Sequence, residues 1–386
     1  MENKEKTKFS KFKKYILCTL AIIIIILIAA YVTNSTFKQF VDYKIFHKLV
    51  TENTLPSIEI NSDNNPISFA YSNLIGIYSK NNLAIYNKNA EKINSMTLNI
   101  TSPLISTNEK YLVIAEKNGN DFYVINSSSI LWQGKIDGNI SKININKNGY
   151  VSIIASTFAD KSIVIVFDSN GNKLFTNYLS SSYGVCSSIS TDNSYLAIGE
   201  IDYSGTVIKT YIKIISIEYA KTKNKANESI VYKQQIDDNI ITNIQYYDKE
   251  NAICMLTDSI IKVSPNSSNE LYKKDENTMF LDINMNNNIS LISKQSSGLF
   301  SYDYDLKFIR TNNNDEKIYI LKSKLPKQIL AAYDSIALNY GNSIDIINKN
   351  GSLEKTYTSS QQIKDLIVGD NIVGVIYKDK IEIIDF

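Results

Sequence analysis

The chain has 386 residues and is almost neutral, with 41 basic side chains, 39 acidic side chains and one histidine. No basic stripe is present, so nucleic acid is not expected as a partner. Metal sites in proteins need clustered His, Cys or carboxylate ligands, and one His with three scattered Cys does not predict such a site or a bound cofactor.

The N-terminus combines a charged tail with an apolar run. Residues 1–14 hold six Lys against two Glu, and residues 15–32 (YILCTLAIIIIILIAAYV) carry no charge. Eighteen residues rise about 27 Å as a helix, which is close to the thickness of the hydrocarbon core of a bilayer. The positive-inside rule then predicts a cytoplasmic tail at 1–14 and a transmembrane signal-anchor helix at 15–32, with the remainder extracellular. A cleaved signal peptide is the alternative, although the run is longer than a usual signal core and Ala29, Ala30 and Tyr31 give no clean cleavage site.

Residues 33–54 are interpreted as a juxtamembrane stalk and linker. Their apolar residues follow a helical spacing, which suits either a docking or dimerising stalk or an extension of the anchor resting on a surface. His47, the one histidine of the chain, lies here and is interpreted as a partly solvated surface group.

From residue 55 onward one phrase recurs, in which an alternating β-branched and aromatic strand ends at a polar turn residue. IVIVFDSNGNKL, beginning at Ile163, is the clearest copy, and it is typical of a strand, a tight turn and a second strand. The turn residues of the eight copies are spaced 37 to 48 residues apart, and they are Asn87, Asn126, Asp168, Ser216, Ser264, Asp303, Asn348 and Asp385. Repeats of this length with about four short strands each are the signature of a β-propeller blade.

Each copy follows two further apolar runs, so the unit is strand, strand, signature strand, turn, strand. The sequence therefore predicts an all-β protein with a β-propeller at 55–386, most simply with eight blades and with seven as the alternative. The last copy ends at the C-terminus without a fourth strand, whereas residues 55–60 (LPSIEI) form a spare strand before the first blade. We expect this segment to pair with residues 380–384 and close the ring, which protects strand edges. An open solenoid or a pair of sandwiches is the alternative architecture.

Blade four carries two insertions that we interpret as candidate partner-binding loops. Residues 218–229 (EYAKTKNKANES) extend the turn after the signature strand and hold Lys221, Lys223 and Lys225. Residues 200–205 (EIDYSG) hold Glu200 and Asp202 and lengthen a connection on the opposite face. The favoured interpretation of residues 218–229 is a disordered loop in a permissive position.

The residues of common catalytic sites are missing or badly spaced. Ser-His-Asp or Cys-His catalysis would need His47, which lies outside the propeller, and no phosphate-binding loop is present. Asp168-Ser-Asn-Gly resembles part of a calcium loop, but the later ligands are wrongly spaced, so a hairpin turn explains it better. Cys186 and Cys254 could form a disulfide, although two small buried thiols are the simpler expectation. Glu200, Asp202 and Asp258 are weak candidates for carboxylates that meet at a channel mouth.

The anchor YILCTLAIIIIILIAAYV and units such as IDIINKNGSLEK resemble an uncharacterised clostridial family of single-pass membrane proteins with an extracytoplasmic propeller related to WD-repeat, YVTN and quinoprotein-like domains. The likeness is architectural, and it implies no catalytic or ligand residues. Quinoprotein-like chemistry would need a Trp-rich docking motif in each blade, and Trp132 is the single Trp of the chain.

The sequence favours a non-catalytic, membrane-anchored interaction platform whose partner is a protein of the cell envelope. A surface enzyme or a sensor that binds a glycan or small molecule in the channel is the alternative. Convergent carboxylates and exposed aromatic residues at one channel mouth would favour the alternative, whereas a lining of Ser, Asn and small apolar residues would favour the platform.

Overall fold

The computed structural model describes most of the propeller and part of the N-terminus. The described residues are 19–21, 23–32, 41, 55–223, 226–284, 288–296, 302–310, 316–322, 325–348 and 350–386. His47, Lys225 and all of residues 1–14 and 33–54 except Val41 lie outside them.

Thirty-two described strands form eight antiparallel sheets of four strands, which confirms the eight-bladed propeller. Blades one to four are β2–β5 (Ile67–Tyr71, Leu74–Ser79, Asn82–Tyr86, Lys92–Thr97), β6–β9 (Pro103–Asn108, Tyr111–Glu116, Asp121–Ile125, Ile130–Lys135), β10–β13 (Asn139–Ile145, Val151–Ser156, Ser162–Phe167, Lys173–Leu179) and β14–β17 (Tyr183–Ile189, Tyr195–Asp202, Lys209–Ser216, Ile230–Asp237).

Blades five to seven are β18–β21 (Ile241–Tyr246, Ala252–Leu256, Ser259–Val263, Ser268–Lys273), β22–β25 (Thr278–Asn284, Asn288–Ser296, Tyr302–Arg310, Glu316–Lys322) and β26–β29 (Gln328–Ala332, Ser335–Asn339, Ser343–Asn348, Leu353–Thr358). Blade eight takes β30–β32 (Asp365–Gly369, Ile372–Ile376, Lys380–Asp385) from the end of the chain and β1 (Ser57–Glu59) from its beginning.

Ring closure occurs where the sequence predicted it. Ser57 is paired with Glu382, Ile58 with Ile381 and Glu59 with Lys380, all antiparallel. A short 3₁₀ turn at Ser62–Asn64 then leads to the first blade. The two ends of the chain therefore share one sheet, and β32 is paired on both of its edges.

The core consists of eight apolar clusters among the described residues, one between each pair of adjacent blades. The second and third strands of most blades are buried on both faces, which is why they are nearly continuous runs of Ile, Val, Leu and Ala. The fourth strands alternate exposed and half-buried positions, as in β9 and β17. Each blade thus gives one apolar face to each of its neighbours.

Blade four differs from the prediction of a disordered loop. Ile217–Lys223 form a helix and Ala226–Ser229 a 3₁₀ turn, and Ile217, Ala220 and Ala226 are buried in the cluster between blades three and four. We call residues 217–229, without the undescribed 224 and 225, the insert helix. Three small or apolar residues in a polar stretch were too weak a signal to predict this packing.

The signature position of blade six was also wrong. The sequence predicts a turn at Asp303, but Asp303 is the second residue of β24, where it is paired with Gln295. The strand continues for seven residues to Arg310, because the alternation of Tyr304, Leu306 and Phe308 extends the apolar pattern past Asp303.

Residues 19–21 and 23–32 are helical and leave their large apolar side chains about half exposed, including Leu20, Ile25 and Leu27. Among the described residues, no helix combines the length and the apolar character needed to cross a membrane.

Candidate functional site

The antiparallel strands divide the turns between two faces of the ring. The turns between the first and second strands lie on the same face as the signature turns that follow the third strands, and we call this the signature face. The turns between second and third strands and the links from blade to blade lie on the other face, which we call the connector face. Residues that are distant in sequence can meet on either one.

The signature turns are built by the side chain of the polar residue that ends the third strand. Asp168 shows this most fully, because its carboxylate accepts hydrogen bonds from the N–H groups of Asn170 and Asn172 and from the Asn172 amide, all at 2.9 Å. Burial raises the pKa of the Asp168 carboxyl, but the Asn172 and Asn170 hydrogen bonds outweigh it, so the pKa lies below the usual value. The carboxylate thus closes a hairpin turn, and no group of three or more potential metal ligands occurs among the described residues.

Glu200 is not a surface group. Its side chain is 1% exposed, its two carboxylate oxygens lie 2.7 and 2.9 Å from Lys213 Nζ, and it accepts a hydrogen bond of 2.7 Å from the Ser182 hydroxyl. This ion pair joins neighbouring strands inside blade four, so Glu200 is excluded as a partner-binding residue. The prediction failed because residues 200–202 continue β15 instead of starting the loop.

The other candidate residues are distributed over both faces. Asp202 is half-buried on the connector face, where it accepts hydrogen bonds from the Ser204 hydroxyl and N–H at 2.6 and 3.0 Å. These bonds lower the pKa of Asp202. Lys221 is exposed on the insert helix and Lys223 ends that helix, both on the signature face. Asp258, in the turn between β19 and β20, accepts a hydrogen bond from the Asn239 amide of the link between blades four and five. The structure therefore does not bring these candidates together.

The two thiols are free and buried. Cys186 and Cys254 both lie in the cluster between blades four and five, and they do not form a disulfide. Burial raises the pKa of the Cys186 thiol to about 12 and raises that of Cys254 as well. Both thiols are therefore packing residues, which agrees with the expectation of two small buried side chains.

A polar cavity of about 400 Å³ lies at the mouth of the channel on the signature face. The first strands of blades two to five supply most of its wall, together with Tyr333 from blade seven across the channel. Its described side chains are mainly Ser, Thr, Asn and Gln with three Tyr, and Glu109 is the single carboxylate among them. Among the described residues of this lining, Glu109 has no second carboxylate with which it could form an acid–base pair.

Three aromatic residues lie on the connector face of blades three and four, where Phe158 and Tyr203 are exposed and Tyr183 is half-buried. The rings of Tyr183 and Tyr203 are stacked with centroids 4.9 Å apart and planes 8° apart, and Lys161 Nζ lies 5.1 Å from the centroid of Tyr183. Phe158, in the turn between β11 and β12, is fully exposed. We call Phe158, Tyr183 and Tyr203 the aromatic surface. Sequence reasoning missed it, because its members come from two blades and each looks like an ordinary loop residue.

These features define an eight-bladed β-propeller with a neutral channel mouth and an aromatic surface on the connector face. The chain belongs to a family of unknown function, DUF5711, whose family model matches residues 42–386. No curated protein matches the sequence.

Several solved structures share the fold at very low sequence identity. Dihydro-heme d1 dehydrogenase NirN is similar with a TM-score of 0.52 and 8% identity, over 89% of this chain and 74% of NirN. BamB from Moraxella catarrhalis is similar with a TM-score of 0.48 and 11% identity, over 88% of this chain and 99% of BamB. A eukaryotic initiation factor has a TM-score of 0.49 and 10% identity, over 85% of this chain and 83% of the factor. At this identity the likeness concerns the fold alone.

Proposed function

We propose that the protein is a single-pass, membrane-anchored propeller that acts outside the cytoplasm as a non-catalytic platform and binds another protein of the cell envelope. The observation that carries this proposal is the aromatic surface. Tyr and Phe at a protein surface supply large contact areas with little rotamer freedom to lose, and they are enriched in binding interfaces.

The composition of the two faces supports a binding role over a catalytic one. The channel mouth is lined by amides and hydroxyls, and the candidate carboxylates Glu200, Asp202 and Asp258 are each bonded within their own blade. The aromatic surface is on the opposite face from the cavity, and the described residues bring no carboxylate pair together at either mouth. This is the pattern that favours a platform.

Anchoring is supported by the sequence and by the surface of the N-terminal helix. The large side chains from Ile23 to Ile28 are between 49% and 64% exposed, and six Lys precede the apolar run. Apolar side chains on all sides of a helix suit a lipid environment, and the Lys cluster orients the tail toward the cytoplasm.

The direction of β1 supports a partner on the connector face, because the chain that follows the proposed anchor enters the ring on the signature face. β32 runs toward the signature face, where the Phe386 N–H donates to the Asn371 carbonyl at 3.2 Å. Because β1 is antiparallel to β32, the chain reaches the ring on that same face, where Leu55 and Phe386 pack against one cluster. A partner on the connector face would therefore approach from the other side of the ring.

Site-specific photo-crosslinking in native membranes tests the proposal. A photoreactive phenylalanine analogue replaces Phe158 in the full-length protein, and irradiated adducts are identified by mass spectrometry. We expect one dominant protein adduct. Tyr302 is the matched control position, since it is a 45% exposed aromatic residue on the connector face of blade six with Lys294 Nζ 3.5 Å from its ring centroid.

The same adducts at Phe158 and Tyr302, or no adduct at Phe158, would contradict a partner at the aromatic surface. A second measurement uses the double variant Phe158→Ser and Tyr203→Ser. It should lose co-purification of the cross-linked partner while its melting temperature stays that of the wild type, because exposed side chains contribute little to stability.

A further inference from the structure

The cavity at the signature-face mouth has the size of a small-molecule site. Its volume of about 400 Å³ falls inside the range of roughly 300–1,000 Å³ that ligand pockets occupy. It is lined from blades two, three, four, five and seven, so it is a central feature of the ring and not a groove between two neighbours.

The hydrogen-bonding groups of the wall fall into two sets. Asn146 belongs to the first, which builds the wall: its amide oxygen accepts from the Asn148 and Tyr150 N–H groups at 3.0 Å, and its NH₂ donates to Ser190 O and Asn193 Oδ1. Ser188 Oγ also accepts from the Tyr246 N–H at 3.0 Å. These residues fix the shape of the cavity.

The second set consists of side chains with donors or acceptors that make no hydrogen bond within the protein. Among the described residues, the Asn144 amide and the Ser106 hydroxyl have no hydrogen-bond partner, and the Asn243 amide uses only its oxygen, which accepts from the Ile244 N–H at 2.9 Å. These three residues come from blades two, three and five. An amide offers donors and an acceptor side by side, which matches adjacent hydroxyl groups.

The charges of the cavity argue against an ionic ligand. Glu109 and Lys147 are the two charged side chains among the described residues that line it, and both are exposed in turns at the rim. They cancel in net charge, so a charged ligand would be removed from water without a matching counter-charge. Tyr333 adds an aromatic ring across the channel.

We propose that this cavity binds an uncharged polyhydroxylated ligand, a saccharide of one or two rings or the end of a glycan, held by Asn144, Asn243 and Ser106. Ligand hydroxyls replace the solvent that otherwise satisfies these amides, and the ring of Tyr333 covers an apolar face of the sugar. This site is independent of the aromatic surface, since the two lie on opposite faces.

Saccharide binding is measured on the full-length protein in a detergent without a sugar headgroup, by isothermal titration and saturation-transfer NMR. The probes are glucose, N-acetylglucosamine and their β-1,4-linked disaccharides, with glucosamine and glucuronate as charged probes of matched size. We expect at least one uncharged probe to bind and both charged probes to fail. A labelled oligosaccharide of the same units separates the two sources: tighter binding than the disaccharide indicates a glycan end, and equal binding indicates a free sugar.

The double variant Asn144→Ala and Asn243→Ala should weaken binding by about 10-fold or more, because two hydrogen bonds to the ligand are lost. Ser106→Ala is a milder variant with an expected loss of a few-fold. Asn266→Ala, an exposed amide in the outer turn of the same blade as Asn243, should bind as the wild type does. Thermal unfolding shows whether each variant is folded.

The proposal is overturned if no uncharged probe binds at millimolar concentration, if charged probes bind equally well, or if the folded double variant and Ser106→Ala both retain full affinity. The first outcome would mean that the cavity is only a solvated channel mouth.

Discussion

At the scale of single residues, side chains replace glycine in most of the turns. The chain has 14 Gly, and the signature residues Asn87, Asn126 and Asn348 each accept two backbone N–H bonds at 2.8 to 3.1 Å from their own turn. Asn also occupies many of the left-handed positions, such as Asn81, with φ of 64°. Asn tolerates this conformation better than other side chains, so the Asn-rich composition is a consequence of the many tight turns.

Because of Tyr78, the free energy of unfolding is expected to fall at alkaline pH. The side chain is 3% exposed, its hydroxyl donates to Ile100 O at 2.6 Å, and burial raises its pKa to about 12. An unfolded Tyr ionises near pH 10, so the stabilising contribution is complete below pH 10 and is lost as the pH rises toward 12.

We therefore expect the free energy of unfolding to fall more steeply between about pH 10 and 12 in the wild type than in Tyr78→Phe, by up to about 1.4 kcal/mol per pH unit. Denaturant titrations at a series of pH values measure this slope. Tyr219→Phe, a change at a 59% exposed position, should keep the wild-type slope. Identical slopes for wild type and Tyr78→Phe would contradict the assignment.

Tyr357 lies in a buried polar network at the ring closure. Its hydroxyl is 2.7 Å from the Tyr377 hydroxyl and donates to Glu382, whose other oxygen is 2.5 Å from Lys380 Nζ. Burial and the Glu382 hydrogen bond raise the pKa of Tyr357, so the phenol stays protonated. The network connects β29 of blade seven to the closing blade.

Tyr357→Phe should cost about 1–3 kcal/mol in unfolding free energy, because it leaves a carboxylate oxygen of the 2% exposed Glu382 without its phenol donor. Chemical denaturation measures the loss. Tyr178→Phe, at a 56% exposed position, is the control and should change stability by less than about 0.5 kcal/mol. Equal effects of the two changes would mean that the network contributes nothing.

At the scale of elements, the insert helix covers the apolar cluster between blades three and four. Ala220 and Ala226 are buried against the outer strand of blade three, where Phe175 and Leu179 belong to the same cluster. The helix also brings Lys221 close enough to lower the pKa of Asp168 slightly. Residues 218–229 therefore join two blades, which a free loop would not do.

Replacing residues 218–229 by an Asn-Gly turn should reduce stability by about 1–3 kcal/mol, since apolar surface of blades three and four becomes exposed. Loop shortening by itself changes the closure entropy only slightly, so it does not offset this loss. The double variant Tyr219→Ser and Lys221→Ser alters exposed positions of the same helix and should be nearly neutral. If the variant with the Asn-Gly turn were as stable as the wild type, residues 218–229 would be a permissive loop.

At the scale of the whole molecule, three residues of β1 close the ring. Ile58 is 4% exposed and packs between blades eight and one, so β1 supplies an apolar side chain as well as backbone hydrogen bonds. Without it the edge of β32 is open, and an unpaired edge is a template for association with other chains.

Deleting residues 33–50 should leave a folded ring, whereas deleting residues 33–62 should produce aggregation. Light scattering measures the aggregation of the two truncated proteins, and thermal unfolding measures their stability. Ile58→Asp in the protein that lacks only residues 33–50 tests the apolar contact alone. Because the closing pair is far apart in sequence, refolding of the longer protein should also be slow. Equal solubility and stability of both truncations would show that closure is dispensable.

The orientation across the membrane gives a prediction for the intact cell. Protease added to protoplasts should degrade the propeller and spare residues 1–14, because in the proposed orientation the Lys cluster retains the tail in the cytoplasm. A tag on the N-terminus and an antibody against the propeller detect the two parts by immunoblot. Lysed protoplasts provide the control in which both are degraded. Complete protection of the propeller in intact protoplasts would refute the orientation.

The sequence by itself determined the repeat, the number of blades and the closing strand. These follow from local patterns: alternation identifies the strands, Asn, Asp or Ser identifies the signature turns of the blades other than blade six, and LPSIEI is the spare strand that completes the last blade. Periodicity is a property of neighbouring residues, so it can be determined from the chain before anything is folded.

Only the tertiary structure decided which side chains are accessible for binding at the surface. Glu200 looked like a loop carboxylate and is buried in an ion pair with Lys213, whereas Phe158 and Tyr203 looked unremarkable and are exposed, with the Tyr203 ring stacked on that of Tyr183. The cavity takes Ser106, Asn144 and Asn243 from strands up to 137 residues apart in sequence. Convergence at the face of a ring depends on which blades are neighbours and on the register of each strand, and no local pattern encodes either one.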